Sequence, residues 1–452
     1  MMRRLALILA LVSGTAQAAE PTVHDRAIAA GYKALFLCNG LFVAGQSEAA
    51  IGRDDLAGAY PAMQPLVDAL PARIDRAGQT VRVAFADAMP ARIAARRGGF
   101  GCVLAPAGAA NDSMLPTIAP LPLHDARAWP MGDNGATAML PPARRATLDA
   151  RVKLAFGADY GADARTSAVL VLKGDHIVAE QYRAGYDRHT PQRTWSVGKS
   201  IAATLIGRAA QLGILSVDDP VGIPEWGPGD PRGAIRIRHL MHMASGLYSE
   251  GPGNRSDDIY FGGSAVAEKA GTLPLEAAPG TRWNYANNDT LLAVRALEVR
   301  LGDRAPGFPQ AELFARLGMT RTFAGTDWRG TPILSSQIWT TARDLARLAL
   351  LYRANGMWAG ERLLPVDWTR FVSTAAPAQP PAGREGYGAF FWLFGPDQGL
   401  PAGTYAMNGN RGQYVMIVPA RDLIVIRRGF DPIGGTGFDI ARFARDVVAA
   451  LD

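Results

Sequence analysis

Arg193-Thr194-Trp195-Ser196-Val197-Gly198-Lys199-Ser200 is the stretch of sequence that decides the fold and the chemistry. After it, apolar residues recur every three or four positions, at Val197, Ile201, Leu205, Ala209 and Leu212. This period predicts a buried helix that ends at Gly213. Ser196 then lies at the helix N-terminus with Lys199 three residues further on, so the two side chains share one face. A hydroxyl beside an amine there suits covalent catalysis, because the amine can take the hydroxyl proton and the helix dipole favours the negative charge that develops.

Two other motifs resemble parts of this octet, and both fail on spacing. A phosphate-binding P-loop that ends in Gly198-Lys199-Ser200 needs a glycine at position 193, where the chain has Arg193. The nucleophile elbow of α/β-hydrolases needs a glycine where Thr194 stands, and a histidine late in the chain, whereas the last histidine is His242. A chance occurrence of Ser-x-x-Lys stays open at this point, because the pattern is short.

Length and composition are those of a globular protein of two or three domains. The chain has 452 residues, of which 48% are hydrophobic, and this is enough for a substantial core. Its net charge of +6 comes from arginines spread along the chain, without a long run of Lys and Arg. We interpret these charges as solvated faces and expect no nucleic-acid partner.

Met1–Ala19 has the pattern of a secretory signal peptide. Arg3 and Arg4 give a basic start, Leu5–Val12 is apolar, and Ala16-Gln17-Ala18 is a small-residue cleavage site. The apolar run is too short to span a membrane, and no cysteine stands at the cleavage point to carry a lipid anchor. The sequence therefore predicts export, most simply to a periplasm, and no stable membrane insertion.

Residues 20–144 form an N-terminal region to which the sequence assigns no function. Its secondary structure is predicted as a helix followed by three strands: His24–Leu37, Leu41–Ala44, Val81–Phe85 and Phe100–Leu104. The exported chain has two cysteines, Cys38 and Cys102, which in an oxidising compartment predict one disulfide; two buried free thiols are the alternative. Pro116–Pro142 is rich in Pro, Gly, Asn and Asp and is interpreted as a long linker.

The residue pattern of 145–452 differs from that of the N-terminal region and predicts a two-lobed α/β (α+β) architecture. One predicted hairpin joins Ala168–Leu172 to Ile177–Tyr182, and a second joins Tyr414–Val418 to Leu423–Arg428. Predicted helices lie before, between and after these hairpins: Thr147–Phe156, a short one within Ile235–Leu247, Asp289–Arg300, Thr341–Tyr352 and Phe438–Leu451. We expect one sheet assembled from the two ends of the domain, a helical subdomain inserted in the middle, and a ligand cleft between the lobes.

The order of motifs resembles the serine β-lactamase and penicillin-binding superfamily, in particular its branch of class C β-lactamases, related esterases and 6-aminohexanoate-dimer hydrolases. Ser196-Val197-Gly198-Lys199 matches the S-x-x-K motif, and Tyr285-Ala286-Asn287 matches Y-x-N at a typical distance downstream. Leu215–Val221 and His239–Leu247 resemble two structural signatures of that branch. The resemblance covers residues 145–452 and implies an antiparallel sheet flanked by helices with an all-helical subdomain, preceded here by an extra N-terminal region.

The third motif of that superfamily is where this chain departs. The motif is usually Lys-Thr-Gly or His-x-Gly, and the matching segment here is Gly409-Asn410-Arg411-Gly412-Gln413. Asn410 replaces a cation that helps to hold the substrate carboxylate in β-lactamases and carboxypeptidases. This replacement weakens the case for antibiotic or peptidoglycan substrates, although Arg411 restores the charge if it faces inward. A neutral Asn410 suits an ester or a neutral amide.

The resemblance implies a catalytic role for each matching residue. Ser196 is the nucleophile that forms an acyl-enzyme, and Lys199 hydrogen-bonds its hydroxyl. Tyr285 is the general base or shares the proton with Lys199, and a phenolate there needs a depressed pKa, which an adjacent ammonium can supply. The oxyanion hole is formed by the backbone N–H groups of Ser196 and Gln413. Substrate is bound by Asn287, which holds the carbonyl of the acyl side chain, and by Asn410, Arg411 and Gly412.

Two classes of function follow from these features. The first is a secreted serine hydrolase of small esters or amides, with a β-lactamase or D-alanyl-D-alanine carboxypeptidase as its alternative. The second is a non-catalytic penicillin-binding-like protein, suggested by the altered third motif and the N-terminal region. We expect no cofactor or metal, because His239 and His242 give only two ligands. The aromatic residues Trp283, Trp339 and Trp392 are candidates for an acyl pocket or for core packing, and the sequence is silent on the oligomeric state.

Overall fold

The computed structural model describes residues 20–249 and 256–452. The predicted signal peptide, Met1–Ala19, lies outside the described residues. No helix among the described residues is both long and apolar enough to cross a membrane.

The N-terminal region is a helix packed on a small antiparallel sheet. A capping box between Thr22 and Asp25 starts the first helix. The helices of this region are α1 (Val23–Phe42), α2 (Glu48–Ile51) and α3 (Gln64–Ala69), and the strands, which neighbour one another in chain order, are β1 (Ala72–Asp75), β2 (Thr80–Val83), β3 (Arg92–Arg96) and β4 (Cys102–Leu104). A π-helical turn, Gly52–Leu56, follows α2. The predicted strands at 81–85 and 100–104 are confirmed in β2 and β4.

The predicted strand Leu41–Ala44 is wrong, because α1 continues through Asn39-Gly40 to Phe42. The side chain of Asn39 donates to the carbonyl of Leu35 and accepts from the N–H of Cys102. One bond within the helix and one to β4 thus satisfy the side chain of a residue type that otherwise favours turns. The disulfide between Cys38 and Cys102 is confirmed and joins α1 to β4 at the same place.

The remaining elements build the larger part of the molecule. The helices are α4 (Pro142–Leu154), α5 (Val197–Gln211), α6 (Ile237–Met241), α7 (Val266–Lys269), α8 (Asn287–Leu301), α9 (Ala315–Leu317), α10 (Ala342–Arg353), α11 (Trp368–Ser373) and α12 (Ile440–Leu451). The strands are β5 (Thr166–Lys173), β6 (His176–Tyr182), β7 (Gln192–Arg193), β8 (Phe323–Ala324), β9 (Ile338–Thr340), β10 (Met357–Trp358), β11 (Glu361–Arg362), β12 (Gly386–Tyr387), β13 (Trp392–Phe394), β14 (Thr404–Gly409), β15 (Gln413–Val418) and β16 (Leu423–Gly429).

One antiparallel sheet is assembled from both ends of this part, as predicted. Its strand order is β12-β13-β14-β15-β16-β5-β6, and the pairing of β16 with β5 joins the two predicted hairpins. Side chains of β5 alternate between two cores, because successive strand residues point to opposite faces. Val169 and Val171 pack with α4 and α12, whereas Leu170 and Leu172 pack in the larger core that contains α5 and α10. This fold, an antiparallel sheet with helices packed on both faces, is the one that the sequence predicts.

The larger core continues into the N-terminal region. It includes Phe36 of α1 together with Trp195 and Ile201 from the start of α5. The α5 helix packs on β14 and β15, and the turn before it contacts the N-terminal region through Trp195, whose ring centre lies 6.5 Å from that of Phe36. The predicted linker, residues 116–142, contains no helix or strand before α4 begins at Pro142. It runs past the β5–β6 hairpin, where Trp129 Nε1 donates to the carbonyl of Asp175 at 2.6 Å.

Candidate active site

Ser196 is the residue that starts α5, and its hydroxyl is available for chemistry. The chain leaves β7 at Arg193 and passes through Trp195, whose φ of +51° is unusual for a bulky residue. Ser196 is the N-cap residue of α5, yet its hydroxyl accepts no capping hydrogen bond from the backbone amides of the first turn. Serine is otherwise a preferred capping residue, so the side chain has been turned away from its usual structural role.

Lys199 meets Ser196 as the helical spacing predicts. Its Nζ lies 3.2 Å from Ser196 Oγ and also donates to Asn287 Oδ1 at 2.6 Å and to the carbonyl of Ser335 at 3.0 Å. The side chain is only 1% exposed. Burial lowers the pKa of Lys199 to about 7, with the charge of Arg193 acting in the same direction. A large fraction of this amine is therefore neutral near pH 7 and able to accept a proton.

Tyr285 completes the group of three predicted catalytic residues. Its hydroxyl is hydrogen-bonded to Ser196, and Lys199 Nζ lies 5.1 Å from the centre of its ring. Burial raises the pKa of Tyr285 above its usual value, and the bond with Ser196 opposes this shift only in part. The depressed pKa that a resting phenolate needs is thus not found, because desolvation of the buried hydroxyl outweighs its hydrogen bond with Ser196.

Asp289, which the sequence did not single out, lies behind this group. It is 1% exposed, and burial raises its pKa to about 7. The hydroxyl of Ser245 donates to Asp289 Oδ1 at 2.8 Å. The negative charge of Asp289 raises the pKa of Lys199 and so limits the effect of burial on the amine. Its place two residues after Asn287, in the buried first turn of α8, is the one sequence signal that points to it.

The segment between β14 and β15 lies against the turn that presents Ser196. Gly409 ends β14 and is the ladder partner of Gln413, the first residue of β15. A side chain at Gly409 would collide with the carbonyl oxygen of Thr194 and crowd the N–H of Ser196. Glycine permits this close approach. The two residues that were predicted to supply the oxyanion hole, Ser196 and Gln413, thus belong to adjoining segments.

The side chain of Gln413 is buried and fixed. Its Nε2 donates to the carbonyls of Arg411 and Gly429, and its Oε1 accepts from Arg428 Nε at 2.6 Å. The same guanidinium of Arg428 donates to the carbonyl of Arg193 at 3.1 Å. One buried arginine therefore connects the start of β15 to the strand that precedes Ser196.

Arg411 does not restore the missing cation, because its guanidinium points away from the cleft. Arg411 lines the cleft, but its guanidinium donates to the carbonyls of Asp54 and Ala57 in the N-terminal region. Gly412 has a φ of +77°, and a side chain there would collide with Arg427. Asn410 is exposed at the rim. Of the three predicted substrate-binding residues in this segment, Asn410 alone is exposed.

The cleft in front of Ser196 has a volume of about 540 Å³, which is in the range of small-molecule sites. Its wall on the helical side is formed by Tyr285 and Asn287, and the opposite wall by residues 408–412. The rings of Trp392 and Tyr414 also border it. The Ser196 hydroxyl, the Lys199 amine and a cleft wide enough for an acyl group therefore occupy one place.

The three candidate tryptophans separate into different roles. Trp392 lines the cleft, with its ring centre 5.5 Å from that of Tyr285. Trp283 packs behind Tyr285 at 6.3 Å, and Trp339 is buried 6.1 Å from Phe36. Only Trp392 is placed to contact an acyl group.

One group outside the cleft has the residue types of a metal site. Asp125, Asp133 and His189 have ligand atoms that lie within 4.8 Å of one another. Both carboxylates are already paired with guanidinium groups, Asp125 with Arg321 and Asp133 with Arg347 at 2.9 Å. Arg343 also lies 3.2 Å from Asp133, so three guanidinium groups already neutralise the two carboxylates that a metal ion would need.

Comparisons with known proteins agree with this geometry. Residues 151–427 match the beta-lactamase family model. A 6-aminohexanoate-dimer hydrolase from Paenarthrobacter ureafaciens is 25% identical over 58% of this chain and 72% of its own length. A penicillin-binding protein homologue from Caulobacter crescentus superposes with a TM-score of 0.56 at 17% identity, over 70% of this chain and 99% of its own.

A beta-lactamase/D-alanine carboxypeptidase from Yersinia pestis gives a TM-score of 0.55 at 18% identity, over 68% of this chain and 98% of its own. At this level of identity, the solved structures establish the fold. The family match covers more than half of the chain and includes the turn with Ser196, the Tyr285 segment and the β14–β15 connection. The protein therefore belongs to the beta-lactamase family of hydrolases.

Proposed function

We propose that the protein is a serine hydrolase that cleaves carboxylic esters or amides through an acyl-enzyme on Ser196. The observation that carries this proposal is the contact between Lys199 Nζ and Ser196 Oγ at 3.2 Å. Because burial lowers the pKa of Lys199 to about 7, this contact joins a hydroxyl to an amine that can accept its proton.

In the acylation step, Lys199 in its neutral form takes the Ser196 proton while the serine oxygen attacks the substrate carbonyl. The N–H groups of Ser196 and Gln413 are the donors for the oxyanion of the tetrahedral intermediate. Tyr285, which retains its proton at neutral pH, donates it to the departing oxygen or nitrogen and regains one from the Lys199 ammonium. The carbonyl–heteroatom bond breaks, and the acyl group remains on Ser196.

In the deacylation step, water takes the place of the leaving group. Lys199, neutral again, accepts a proton from that water as it attacks the acyl carbonyl. The tetrahedral intermediate then expels the Ser196 oxygen, which recovers its proton from the amine. The products are the free acid and the regenerated enzyme, so no cofactor is needed.

The charges of the cleft favour substrates that are neutral near the scissile bond. Asn410 stands at the position of the usual cation, and the guanidinium of Arg411 is bonded to N-terminal carbonyls. Among the described residues, the cationic side chain in contact with Ser196 Oγ is that of Lys199. Because its pKa is about 7, Lys199 carries only part of a positive charge at neutral pH and is a poor partner for a substrate carboxylate. We therefore place esters and neutral amides before β-lactams and D-alanyl peptides.

Export belongs to the proposal as well. The support is the disulfide between Cys38 and Cys102, since such bonds form and persist in oxidising compartments. With the sequence pattern of Met1–Ala19, this favours a periplasmic location.

A substrate panel tests the proposed function. Purified protein is given p-nitrophenyl acetate and butyrate, the linear 6-aminohexanoate dimer and nitrocefin, beside a Ser196→Ala variant. We expect turnover of an ester or the linear amide that exceeds nitrocefin turnover and disappears in the variant. Faster turnover of nitrocefin would assign a β-lactamase instead, and no turnover of any compound would favour a binding protein.

A further inference from the structure

We propose that the N-terminal region holds the oxyanion donors of the active site in place, with Arg411 as the positioning residue that connects the two. This inference rests on the proposed hydrolase function. The N-terminal region precedes residues 151–427, the part of the chain that matches the family model. The contact between Arg411 and the N-terminal region is therefore not implied by the family match.

Arg411 makes the connection from the cleft side. Its guanidinium is buried and donates through Nη1 to the carbonyl of Asp54 and through Nη2 to that of Ala57, both at 2.8 Å. It also donates to the carbonyls of Phe430 at 3.1 Å and Asp431 at 3.0 Å. The φ of Arg411 is +60°, a conformation that a long side chain keeps only where its surroundings hold it.

The receiving side of this contact is rigid. Asp54 lies in the π-helical turn Gly52–Leu56, and its carboxylate is fully buried. It accepts hydrogen bonds from Arg183 at 2.6 Å, Tyr186 at 2.8 Å and Arg165 at 3.2 Å, three residues beside the main sheet. The turn whose carbonyls hold Arg411 is therefore itself fixed to the sheet by charge-assisted bonds.

A second contact supports the turn that presents Ser196. The guanidinium of Arg193 lies 3.8 Å from the ring centre of Trp195 and 4.8 Å from that of Phe36 in α1. The ring of Tyr60 packs 5.9 Å from Trp195 on the same side. Because Trp195 precedes Ser196 and has a positive φ, its packing against the N-terminal region sets where the N–H of Ser196 points.

The two contacts converge on the two predicted oxyanion donors. An oxyanion hole requires N–H groups about 2.7–3.1 Å from the developing charge, and the loss of one donor costs about 10²–10³ in kcat. A displacement of about 1 Å in an active site can cost about 10²-fold. Release of Arg411 is thus expected to slow the chemical step and weaken binding of tetrahedral analogues, while binding of the substrate ground state is retained.

Arg92 is a control for the contact with the 409–413 connection, although its partner Phe261 has its ring centre 6.0 Å from the guanidinium of Arg193. The guanidinium of Arg92 is also buried, at 1% exposure, and also donates to backbone carbonyls: Ala27 at 3.2 Å, Ala105 at 3.2 Å and Phe261 at 2.8 Å. These contacts lie in the N-terminal region and at residue 261, and they involve neither residues 409–413 nor residues 193–196. Arg411→Lys and Arg92→Lys each keep the charge but lose the planar fork that bridges several carbonyls.

The test compares the activity of these two variants with that of wild type, each expressed per titrated active site. Sites are titrated with a fluorophosphonate, and then kcat and KM for p-nitrophenyl butyrate and the Ki of an alkylboronic acid are measured, with the thermal midpoint beside them. We expect Arg411→Lys to lose about 10- to 100-fold in kcat and a similar factor in boronate affinity, with KM little changed. Arg92→Lys is expected to lower the thermal midpoint with kcat within about twofold of wild type.

Three results would overturn the inference. One is a kcat for Arg411→Lys within twofold of wild type, and another is an equal loss of kcat in Arg92→Lys. If Arg411→Lys does not fold, Asp54→Asn is measured instead, because it loosens the same turn from the N-terminal side. An unchanged kcat in Asp54→Asn is the third result that would overturn the inference. A wild-type protein that takes no label overturns the proposed function itself, which distinguishes the two failures.

Discussion

The turn at residues 193–199 and the connection at residues 409–413 meet at the same cleft, yet they are specified in different ways. In the turn, one helical period places Lys199 beside Ser196, so local spacing determines the chemistry. In the connection, Arg411 bonds to a carbonyl 357 positions earlier in the chain. The contact between Ser196 and Lys199 is thus set by local spacing, whereas the position of the 409–413 connection depends on contacts with residues far away in the chain.

Removal of the nucleophile is expected to have the largest effect on activity. Ser196→Ala should lower ester turnover by about 10³-fold or more if the catalytic residues act as a unit. Its thermal midpoint should stay near that of wild type, because the hydroxyl makes no capping bond to α5. Steady-state kinetics and thermal unfolding of the purified variant measure both.

Ser200→Ala is the matched control for that change. Ser200 lies one helical turn further along the same helix, and its hydroxyl donates to the carbonyl of Phe390 at 2.6 Å. We expect a loss of about 1 kcal/mol in the free energy of unfolding, with turnover per titrated site retained. Equal losses of activity in both variants would contradict a special role for Ser196.

The second effect in size is the loss of the base. Lys199→Met should lower kcat/KM by about 10²- to 10⁴-fold, the usual contribution of a positioned base. In wild type, the reactive form of Lys199 is neutral and its pKa is about 7, so kcat/KM should fall about tenfold per pH unit below that value and level off above it. A plateau that extends to pH 5, or a limb that remains in Lys199→Met, would assign the base to another group.

A smaller effect is expected from the carboxyl behind the amine. The charge of Asp289 raises the pKa of Lys199, so Asp289→Asn should lower that pKa and move the acidic limb of the pH profile to lower pH. Ser245→Ala removes the bond that favours the charged carboxylate and should move the limb in the same direction. An acidic limb that stays at the same pH, or that moves to higher pH, would show that the charge of Asp289 does not raise the pKa of Lys199.

The smallest effect concerns substrate preference at the 409–413 connection. Asn410→Lys places a cation at an exposed position on the rim of the cleft. We expect the ratio of kcat/KM for a carboxylate-bearing substrate to that for a neutral ester to rise by about fivefold or less, the value of a solvent-exposed ion pair. An unchanged ratio would show that residue 410 does not select by charge.

The parts of the fold and site that follow periodic patterns could be predicted from the sequence. The α5 helix, the two hairpins that share one sheet, and the pair Cys38 and Cys102 are of this kind. Each depends on a repeat of 3.6 or 2 residues, or on cysteine pairing in an oxidising compartment. The roles assigned to Ser196, Lys199 and Tyr285 remain predictions whose geometry is favourable.

The parts that depend on long-range contacts could not be predicted. Asn39-Gly40 has the composition of a turn, yet it lies inside α1, where the side chain of Asn39 accepts a hydrogen bond from the distant N–H of Cys102. The direction of Arg411 depends on carbonyls of the N-terminal region. The raised pKa of Tyr285 results from burial that no local pattern reveals. In each case, the deciding neighbour is remote in the chain or defined by the packed core.

The most direct test of the account is the site of covalent labelling. Active protein is incubated with a fluorophosphonate, digested and mapped by mass spectrometry, with Ser196→Ala treated in parallel. The account predicts one adduct per molecule on the peptide that contains Ser196, and none in the variant. A label on another serine, or an active protein in which Ser196 stays unmodified, would contradict it.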